Sequence, residues 1–476
     1  MRICLILEGS YPYTHGGVSS WTHQMIQAMP EHEFVLWVIG SYAADKGKYF
    51  YELPKNVVAV KEVFLDDALF IKPEKKRHSV IDEEEKEALA ALLDCEKPNW
   101  EVLLRLFQDE KINPSSFLMS EEFLNVLQKL CDEKYPYVPF ANTFHTMRSM
   151  LLPVLYMLMQ EVPEAEIYHA ICTGYAGLMA ITAGYKSRKP VLLTEHGIYS
   201  REREEEIIRA QWVQPAFKRQ WIKFFYMLSD AIYTRAFKVT SLFGRAMRTQ
   251  IELGADPSKC SVIPNGIRYD KFCDIPLKED DGMVDVAAVI RIAQIKDVKS
   301  LIYAFHELKS KRDNVRLHIL GGVDEDDYNE ECLNLVDMLS LNEDIIFTGQ
   351  VDVIKYMEKI DFTILTSISE GQPLSVLESL AARRPCVCTD VGCCRELLEG
   401  GDGDNFGIAG FLAPPMHREG IALAMEKMCK SRKEREIMGQ NGQRRVEAFF
   451  KHEKMVELYN NLYKSAKISS EKMADK

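Results

Sequence analysis

The sequence predicts an α/β protein of two domains built on parallel β-sheets. A chain of 476 residues is too long for one hydrophobic core of ordinary size. Residues 361–396 contain an apolar strand, a loop, a helix that begins near Pro373, a second apolar strand and a glycine turn. A strand, a helix and a strand in so short a segment form a βαβ unit, which requires a parallel strand pair and a right-handed crossover.

The composition disfavours several classes of protein. A hydrophobic share of 47% and a charged share of 27% are typical of a globular protein. The net charge of −12 disfavours nucleic acid as the main partner. No window approaches the roughly 18 uninterrupted apolar residues of a spanning helix, so we expect no transmembrane segment. The 12 cysteines lack the spacing of a disulfide framework and indicate reduced thiols in a cytosolic enzyme.

The first domain is expected to cover residues 1–265. Ile3 to Leu7 form an apolar run of the parallel-strand type, too short and too near the motif residues for a signal peptide. Gly16 and Gly17 then precede a helix with one apolar face. A loop that enters a helix in this way can bind phosphate at the helix N-terminus, although a tight turn also explains a glycine pair.

A helical insertion interrupts the alternation of strands and helices in this domain. A second strand is predicted at 33–39, and the charge-rich segment at about 67–143 then has a mostly helical pattern. An apolar helix at 144–160 follows, and with Pro153 inside it is too short and kinked to span a bilayer. We assign the insertion no chemistry.

Two further strands end in polar side chains. The strand at 166–172 carries His169, and the strand at 190–197 ends in Glu195 and His196. Residues beyond the carboxyl ends of parallel strands are where α/β proteins place their ligands, so these side chains are candidate ligand contacts. A lone histidine is also commonly structural, and for His169 both interpretations stay open.

The first domain then closes with helices and short strands. The charged and aromatic segment at 201–233 predicts an amphipathic helix docked on the sheet, with an acceptor-binding or membrane-facing surface as the alternative. The polar, proline-containing segment 268–282 predicts a linker between domains. The remaining elements of this domain are predicted at 237–240 (strand), 243–253 (helix) and 261–263 (strand).

The second domain is expected at 266–450. It opens with a strand at 284–290, and Arg291 and Lys296 follow that strand. Two cations in such a loop can bind one diphosphate, the arginine as a bidentate fork and the lysine as a point charge, although a solvated loop has the same pattern. Further strands are predicted at 315–320 and 345–347, and the acidic run 324–327 is expected to be a surface loop.

Two carboxylates flank the helix N-terminus within 361–396. Glu370 precedes the helix, and Glu378 lies inside it with seven residues between them. Each could accept bidentate hydrogen bonds from vicinal hydroxyl pairs, which sugars and riboses carry. In isolation this spacing also fits an N-cap acid and a solvated helix residue. The free amides at that terminus, which would attract anions and polar oxygens, are those of Gly371, Gln372, Leu374 and Ser375.

Four cysteines lie at the end of the same segment. Their spacing, C-x-C-x4-C-C, lacks the paired knuckles of a zinc site, and two of them alternate along a strand. We therefore expect core and turn thiols rather than metal ligands at Cys386, Cys388, Cys393 and Cys394.

The string SEGQPLSVLE at 369–378 resembles the E-x7-E motif of glycosyltransferase family 4. The resemblance implies a GT-B fold, in which two Rossmann-like domains face each other across a cleft and a C-terminal helix, here within 451–476, crosses back to the first domain. It covers nearly the whole chain and is weakest in the insertion. EGSYPYTHGGVSSW, HAICTGYAG and LTEHGIYSRER are also similar to strings of the Pel exopolysaccharide glycosyltransferases.

The resemblance assigns roles to individual residues. Glu370 would contact the donor sugar beside His196, and Glu378 would hold the nucleotide ribose. Arg291 and Lys296 match the R-x4-K pair that neutralises the leaving diphosphate, so no metal and no other cofactor is expected. The implied catalytic residues are His196, Arg291, Lys296 and Glu370. The substrate-binding residues are expected to be Gly16, Gly17, His169, Glu195, Asn265 (in VIPNGI), Gly371, Gln372, Pro373, Leu374, Ser375 and Glu378.

The implied activity is that of a retaining, metal-independent hexosyltransferase. It would transfer a hexose from a UDP-sugar, UDP-glucose or a related donor, to a saccharide acceptor such as a growing extracellular polysaccharide. The expected location is the cytoplasm, with attachment to the inner face of the membrane through a membrane-bound export complex. The alternatives are a catalytically silent nucleotide-sugar-binding scaffold of such a complex and a GT-B sugar epimerase. A nicotinamide oxidoreductase is disfavoured because the sequence lacks G-x-G-x-x-G.

Overall fold

The computed structural model describes residues 1–74, 82–401 and 403–474, and the internal contacts of the chain divide it into two units. Unit 1 contains Met1–Ser241, Ala246–Val262 and the chain from Tyr459 onward. Unit 2 contains Leu242–Arg245 and Ile263–Leu458. The sequence prediction set the corresponding boundaries at 265 and 450, a few residues from these divisions.

A parallel sheet of seven strands forms the centre of unit 1 among the described residues. Its strand order is β3-β2-β1-β4-β5-β6-β7, so the first strand of the chain lies in the interior of the sheet beside the central strand β4. β1 pairs with β2 through Arg2–Glu33 to Glu8–Ile39 and with β4 on its other side. The strands are β1 (Arg2–Glu8), β2 (Glu33–Gly40), β3 (Val57–Phe64), β4 (Ile167–Ala170), β5 (Val191–Glu195), β6 (Lys238–Ser241) and β7 (Cys260–Val262).

Helices surround this sheet, and those between β3 and β4 form the predicted insertion. A helical insertion was expected at about 67–143, and the helices that the structure describes in this region confirm it. The helices are α1 (Gly17–Ala28), α2 (Glu83–Leu93), α3 (Trp100–Leu104), α4 (Pro114–Phe117), α5 (Glu121–Lys134), α6 (Phe140–Leu158), α7 (Gly174–Ser187), α8 (Tyr199–Arg209), α9 (Lys218–Arg235) and α10 (Gly244–Glu252). None of the helices in the described part of the chain has the length and apolarity needed to cross a membrane.

Unit 2 is built on a parallel sheet of six strands among the residues described. The strand order is β10-β9-β8-β11-β12-β13. Its strands are β8 (Val284–Val289), β9 (Val315–Leu320), β10 (Ile345–Gly349), β11 (Phe362–Leu365), β12 (Cys386–Thr389) and β13 (Gly410–Ala413). Its helices are α11 (Val298–Lys311), α12 (Asp326–Met338), α13 (Val353–Met357), α14 (Leu374–Ala381), α15 (Cys394–Glu399), α16 (Arg418–Cys429) and α17 (Arg432–Phe449), followed by α18 (His452–Ala474).

Short helical turns complete the described chain. A π-helical turn follows α3 at Arg105–Asp109. The 3-10 turns are Ala43–Asp45, Leu65–Phe70, Pro215–Phe217, Tyr269–Lys271 and Gln294–Lys296.

Two sequence predictions about elements were wrong. The segment 201–233 is not one helix but two, since α8 ends at Arg209 and α9 begins at Lys218. Pro215 lies between them, and because proline lacks an amide proton and disfavours a helical residue before it, one helix cannot continue through this stretch. The acidic run 324–327 is not only a surface loop. Asp326 begins α12, where a carboxylate is favoured by the positive end of the helix dipole.

Candidate functional site

In unit 2, Lys296 and Glu370 form an ion pair beside the loop that leaves β11. The Lys296 Nζ atom lies 2.5 Å from Glu370 Oε1, and the Ser367 hydroxyl donates to the same oxygen at 2.6 Å. Both charged side chains are mostly buried, with 18% of Lys296 and 13% of Glu370 exposed. Glu370 Oε2 has no hydrogen-bond partner among the residues described, and an ammonium has three protons to donate. The pair therefore keeps both an acceptor and donors for a ligand.

Two hydrogen bonds join the loops that carry Lys296 and Glu370. The Thr366 hydroxyl donates to the Lys296 carbonyl at 2.9 Å, and the Ile368 amide donates to the Ile295 carbonyl at 2.9 Å. The loop after β8 and the loop after β11 are thus joined beside the ion pair. Because β8 and β11 are neighbours in the sheet, the carboxyl ends of two adjacent strands supply this part of the site.

The loop after Glu370 enters α14 as the sequence predicts. The helix begins at Leu374, after Pro373 in an extended conformation. The turn at Gly392 has φ +53°, and a Cβ atom there would lie 2.3 Å from the carbonyl oxygens of Glu370 and Gly371. Glycine is therefore required for this close approach. No acceptor in the described chain is hydrogen-bonded to the amides of Gly371, Leu374 and Ser375.

Glu378 lies further along α14, and its carboxyl group has no partner in the described part of the chain. Its carboxyl group makes no hydrogen bond or ion pair with any residue that the structure describes. Burial raises its pKa from 4.5 to about 7, because desolvation penalises the charged form. A mostly buried carboxyl group without a partner in the described chain is a feature of a binding site. Hydroxyl donors from a ligand would stabilise its ionised form.

The Gln372 side chain is hydrogen-bonded to the backbone of Asn265. Its side-chain oxygen accepts from the Asn265 amide at 2.8 Å, and its side-chain nitrogen donates to the Asn265 carbonyl at 3.2 Å. The Asn265 Oδ1 atom is buried and has no partner among the described residues. Gln372, predicted as a substrate contact, thus positions Asn265, which retains an unused acceptor.

Arg291 forms an ion pair of its own outside the Lys296–Glu370 pair. Its guanidinium binds the Asp324 carboxylate, and 66% of the side chain is exposed. The sequence placed Arg291 and Lys296 on one diphosphate, whereas here the arginine has a carboxylate partner of its own. An exposed ion pair of this kind is weak and can exchange its anion.

In unit 1, the Gly16–Gly17 loop leaves the start of α1 open. Gly16 is extended (φ 171°, ψ 173°) and no side chain caps the helix. Apart from the adjacent residues and the backbone of α1, no atom of the described chain lies within 4 Å of the position that a Cβ would take at either glycine. The helix N-terminus is therefore accessible to a ligand.

His196 lies against this helix at the end of β5. Its ring contacts the Trp21 ring edge-on, with 4.6 Å between ring centroids. His196 Nε2 is buried and has no hydrogen-bond partner in the described chain. Burial lowers the pKa of His196 to about 4, so the imidazole is neutral at pH 7. A neutral ring with an unused nitrogen suits a hydrogen bond to a sugar hydroxyl.

The side chains of His169 and Glu195 are hydrogen-bonded to other residues of the protein. His169 is fully buried, and its ring nitrogens lie 2.9 Å from the Tyr463 hydroxyl and 2.8 Å from Thr194 Oγ1. Glu195 accepts from the Tyr233 hydroxyl at 2.6 Å and from Gln250 Nε2 at 2.9 Å. Burial, partly offset by these hydrogen bonds, raises the pKa of Glu195 to about 7. Both side chains act as structural residues in this arrangement.

Glu8, which was not among the predicted site residues, joins the three strings EGSYPYTHGGVSSW, HAICTGYAG and LTEHGIYSRER. The Glu8 carboxylate accepts from the Tyr175 and Ala176 amides at 2.9 and 3.2 Å and from the Tyr199 hydroxyl at 2.7 Å. Arg203 lies 4.0 Å from the same group. Glu8 thus ties the end of β1 to the N-terminus of α7 and to α8. Glu8 is a polar residue directly after the apolar run Ile3 to Leu7, and this position was the signal that could have identified its role.

Metal ligands are not grouped in the parts of the chain that are described. No three His, Cys, Asp or Glu side chains there are close enough to hold a metal ion. Cys386 and Cys388 are buried in β12 with their sulfurs 3.3 Å apart.

Comparison with known families assigns the first part of the chain. The model described as Domain of unknown function (DUF3492) matches residues 1–258, more than half of the chain. The chain belongs to the DUF3492 family. The model described as Glycosyl transferases group 1 matches residues 275–445 of this DUF3492 protein, which contain Lys296, Glu370 and Glu378.

Curated relatives match the DUF3492 protein over part of their length. Alpha-monoglucosyldiacylglycerol synthase of Streptococcus pneumoniae is 25% identical over 47% of this chain and 52% of its own. MMP alpha-(1->4)-mannosyltransferase of Mycolicibacterium hassiacum is 23% identical over 58% of this chain and 65% of its own. The match thus spans between half and two thirds of the length of these relatives.

Solved structures share the fold of the DUF3492 protein. HepE of Anabaena in complex with UDP superimposes with a TM-score of 0.60 at 15% identity, over 98% of this chain and 100% of that one. Sucrose-phosphate synthase of Thermosynechococcus elongatus gives a TM-score of 0.58 at 15% identity, with 98% of both chains covered. Together with the two parallel sheets, this likeness confirms the predicted GT-B fold.

Proposed function

We propose that this protein is a glycosyltransferase that transfers a hexose from a UDP-sugar to a saccharide acceptor. The observation that carries the proposal is the arrangement at α14, where the Lys296–Glu370 pair lies before the helix and the partnerless Glu378 lies within it. The group 1 domain covers these residues and supports transfer over another use of the fold. The neighbour bound to UDP supports a nucleotide donor.

The chemical problem in such a transfer is the charge on the departing diphosphate. Lys296 and the unbonded amides at the start of α14 would stabilise that charge without reorganising during the reaction. Arg291 would join them by exchanging Asp324 for a phosphate, because a guanidinium binds phosphate oxygens in bidentate fashion. Loss of one such donor typically lowers kcat by about 100-fold to 1000-fold.

The carboxylates of Glu370, before α14, and of Glu378, within it, would bind the hydroxyl groups of the donor. The free Oε2 of Glu370 would accept from hexose hydroxyls while Lys296 remains on Oε1. Glu378 would accept from the two ribose hydroxyls and would lose its proton when it does so. Pro373 and Gln372 would serve by fixing the loop that carries these groups.

The unit 1 residues would act on the sugar and the diphosphate. Neutral His196 would hydrogen-bond a hexose hydroxyl through its unused Nε2. The open backbone at Gly16 and Gly17 would let the diphosphate approach the amides of α1.

We propose transfer with retention and without a metal ion. The acceptor hydroxyl would attack the anomeric carbon on the face that UDP leaves, the glycosidic bond to UDP would break, and the hydroxyl proton would pass to the departing phosphate oxygen. Lys296 and Arg291 supply the positive charge that a metal would otherwise provide. Both relatives named above carry an alpha linkage in their names, which a retaining enzyme forms from an alpha-linked donor.

We propose a polysaccharide of the Pel type as the acceptor. The support is the likeness of three strings, around Glu8, His169 and His196, to the Pel exopolysaccharide glycosyltransferase PelF. The transfer would then occur on the cytoplasmic side, with the protein held at the membrane by an export complex.

The proposal is tested by UDP release from a panel of UDP-hexoses with purified protein. Lys296→Ala and Glu378→Ala should each lower UDP release at least about 100-fold while the protein stays folded, because each removes a contact to the donor. Lys299→Ala, an exposed lysine paired with Glu331, and Glu358→Ala are the matched controls and should retain activity.

Unchanged turnover in Lys296→Ala would overturn the site assignment. Calorimetric titration with UDP in the presence of a chelator separates the alternatives. UDP binding without turnover of any UDP-hexose would favour the silent scaffold, and interconversion of free UDP-hexoses would favour the epimerase. Binding that appears only after a divalent metal is added would overturn the metal-independent mechanism.

A further inference from the structure

Unit 1 contains a groove between α1 and the segment at 50–58. Its volume is about 1020 Å³, at the upper end of the ≈ 300–1,000 Å³ usual for small-molecule pockets. One wall is formed by α1 and the residues after it, and the other by the chain that leads into β3. The lining residues are His23, Gln27, Pro30, Glu31, His32, Glu33, Phe50, Tyr51, Glu52, Leu53, Pro54, Lys55, Asn56 and Val58.

Hydrogen bonds fix the two walls to each other at both ends of the groove. At one end, Tyr51 and Ser20 hydroxyls lie 3.2 Å apart, and Ser20 is in the first turn of α1. At the other end, the Asn56 side-chain nitrogen donates to the Ile26 and Met29 carbonyls at 2.9 and 3.0 Å. These hydrogen bonds therefore hold the two walls at a fixed distance and leave the space between them open. A groove of this kind is a preformed site.

The end of the groove near the start of α1 is aromatic. Phe50 and Tyr51 pack edge-on with 5.3 Å between ring centroids, and the His23 ring lies 5.0 Å from Tyr51. His15, one residue before the glycine pair, packs on both Phe50 and Tyr51. Despite these contacts, 62% of Phe50 remains exposed. A fixed, exposed ring offers an apolar face at low entropic cost to a ligand with an apolar face of its own.

The rest of the groove is polar and carries more negative than positive charge. Glu31, Glu33 and Glu52 line it together with one ammonium, that of Lys55. Within the described chain, the Glu52 carboxylate has no hydrogen bond or ion pair. Carboxylates accept hydroxyl pairs in bidentate fashion but repel phosphates, so the groove suits a neutral polyhydroxyl ligand and not a second nucleotide.

We propose that this groove binds the acceptor saccharide, a deduction that rests on the proposed function. A pyranose ring has an apolar C–H face, which would pack on Phe50 and Tyr51, and hydroxyls at its rim, which Glu52 and Gln27 would bind. Because α1 has 12 residues and is about 18 Å long, the groove beside it accommodates several sugar units in a row. The sugar nearest Gly16 and Gly17 would be the one that is extended.

Direct binding tests the groove separately from the transfer reaction. The probes are α- and β-1,4-linked pentasaccharides of glucose, galactose, N-acetylglucosamine and N-acetylgalactosamine, titrated without nucleotide and followed by saturation-transfer NMR and calorimetry. At least one should bind the wild-type protein, and Phe50→Ala should raise its Kd at least about tenfold. Glu52→Gln should raise it less, since Gln still offers one acceptor.

Tyr42→Ala is the matched control, because Tyr42 is an exposed aromatic residue (65%) outside the groove. This variant should bind the pentasaccharide as wild type does, and all variants should bind UDP with unchanged Kd and unfold at wild-type temperatures. The absence of binding by every pentasaccharide, or equal binding by Phe50→Ala, would overturn the groove assignment even if UDP binds. Saccharide binding in a protein that fails to bind UDP would support the groove and contradict the proposed function.

Discussion

The Glu378 carboxyl group shows how one buried residue can couple ligand binding to pH. Burial raises its pKa from 4.5 to about 7, and no residue in the described chain offsets the shift with a hydrogen bond. Hydroxyl donors from a ribose would favour the ionised form, so a nucleotide that binds there would displace a proton. Its affinity should then rise with pH until the free group is fully ionised.

We predict that the Kd for UDP, expressed relative to that of Glu378→Gln, falls about tenfold between pH 6 and pH 8. This is the change in ionised fraction of a group with a pKa of about 7. The ratio to the variant removes the titration of UDP itself, which both proteins share. Calorimetry at four pH values measures it. A flat ratio would show that Glu378 does not contact the nucleotide.

The raised pKa of Glu378 also affects the stability of the protein, and the Glu378→Gln variant measures this effect. An ionised Glu378 is disfavoured in the folded state, so the wild type loses stability as the pH rises from 4.5 to about 7 and nothing further above that. At 1.36 kcal/mol per pH unit the loss is about 3 kcal/mol at most. Glu378→Gln should therefore be the more stable protein at pH 8 and equal to wild type at pH 4.5.

At the scale of elements, Glu8 links three secondary structures. Its carboxylate accepts the two free amides at the start of α7 and the Tyr199 hydroxyl of α8, while itself ending β1. A carboxylate at a helix N-terminus is favoured by the helix dipole as well as by the hydrogen bonds. Burial nevertheless raises the pKa of Glu8. The contacts between β1, α7 and α8 thus depend on the Glu8 side chain, which accepts hydrogen bonds from several donors.

Glu8→Gln should destabilise unit 1 by about 2–4 kcal/mol. The amide group keeps one acceptor but turns an N–H₂ toward donors, which leaves buried amides without a partner. Glu206→Gln is the control, since Glu206 is an exposed α8 residue that also pairs with Arg203. Chemical denaturation measures the loss, and the Kd for UDP should not change in either variant. Equal stability of the two variants would contradict the structural role of Glu8.

The strands predicted most accurately have mainly apolar sequences. β1, β8 and β9 were expected within two residues of their observed ends, because strands buried on both faces are rich in apolar residues, although β8 carries Asp285 and β9 carries Arg316 and His318. β3 was missed because it lies at the edge of its sheet and carries Lys61 and Glu62. Hydrophobic periodicity has no signal for a strand of this kind.

For the candidate site, local motifs predicted local geometry, and distant partners could not be foreseen. The loop from Glu370 into α14 was predicted correctly because it is contiguous in sequence. The structural environment of His169 depends on Tyr463, 294 residues away. The Asp324 partner of Arg291 likewise lies 33 residues on. No spacing rule within a motif reports such pairs.

At the scale of the whole molecule, the last helix completes unit 1. Tyr459 and Tyr463 of α18 are fully buried, and both lie among residues assigned to unit 1. The Asn460 side chain lies 2.8 Å from His32, and Lys467 pairs with Glu166 at 2.6 Å. Tyr459 and Tyr463 are therefore part of the core of a unit whose other residues end at Val262.

Tyr463→Ala should destabilise unit 1 by about 3–5 kcal/mol, because it leaves a cavity and removes the hydrogen-bond partner of His169. Ile468→Ala on the same helix is the control, since Ile468 is 52% exposed. Urea denaturation should show the loss in one transition, with the transition of unit 2 unchanged. A loss below 1 kcal/mol would contradict the assignment of α18 to that core.

The late position of Tyr459 and Tyr463 also sets the order in which the newly made chain can finish folding. About 200 residues separate Val262 from Tyr459, and at roughly 5–20 residues per second a ribosome needs on the order of 10–40 s to make them. Throughout that interval the nascent seven-stranded sheet lacks two of its buried tyrosines. Unit 2 ends at Leu458, directly before Tyr459, so the sheet of unit 1 obtains these tyrosines only after nearly all of unit 2 has been made.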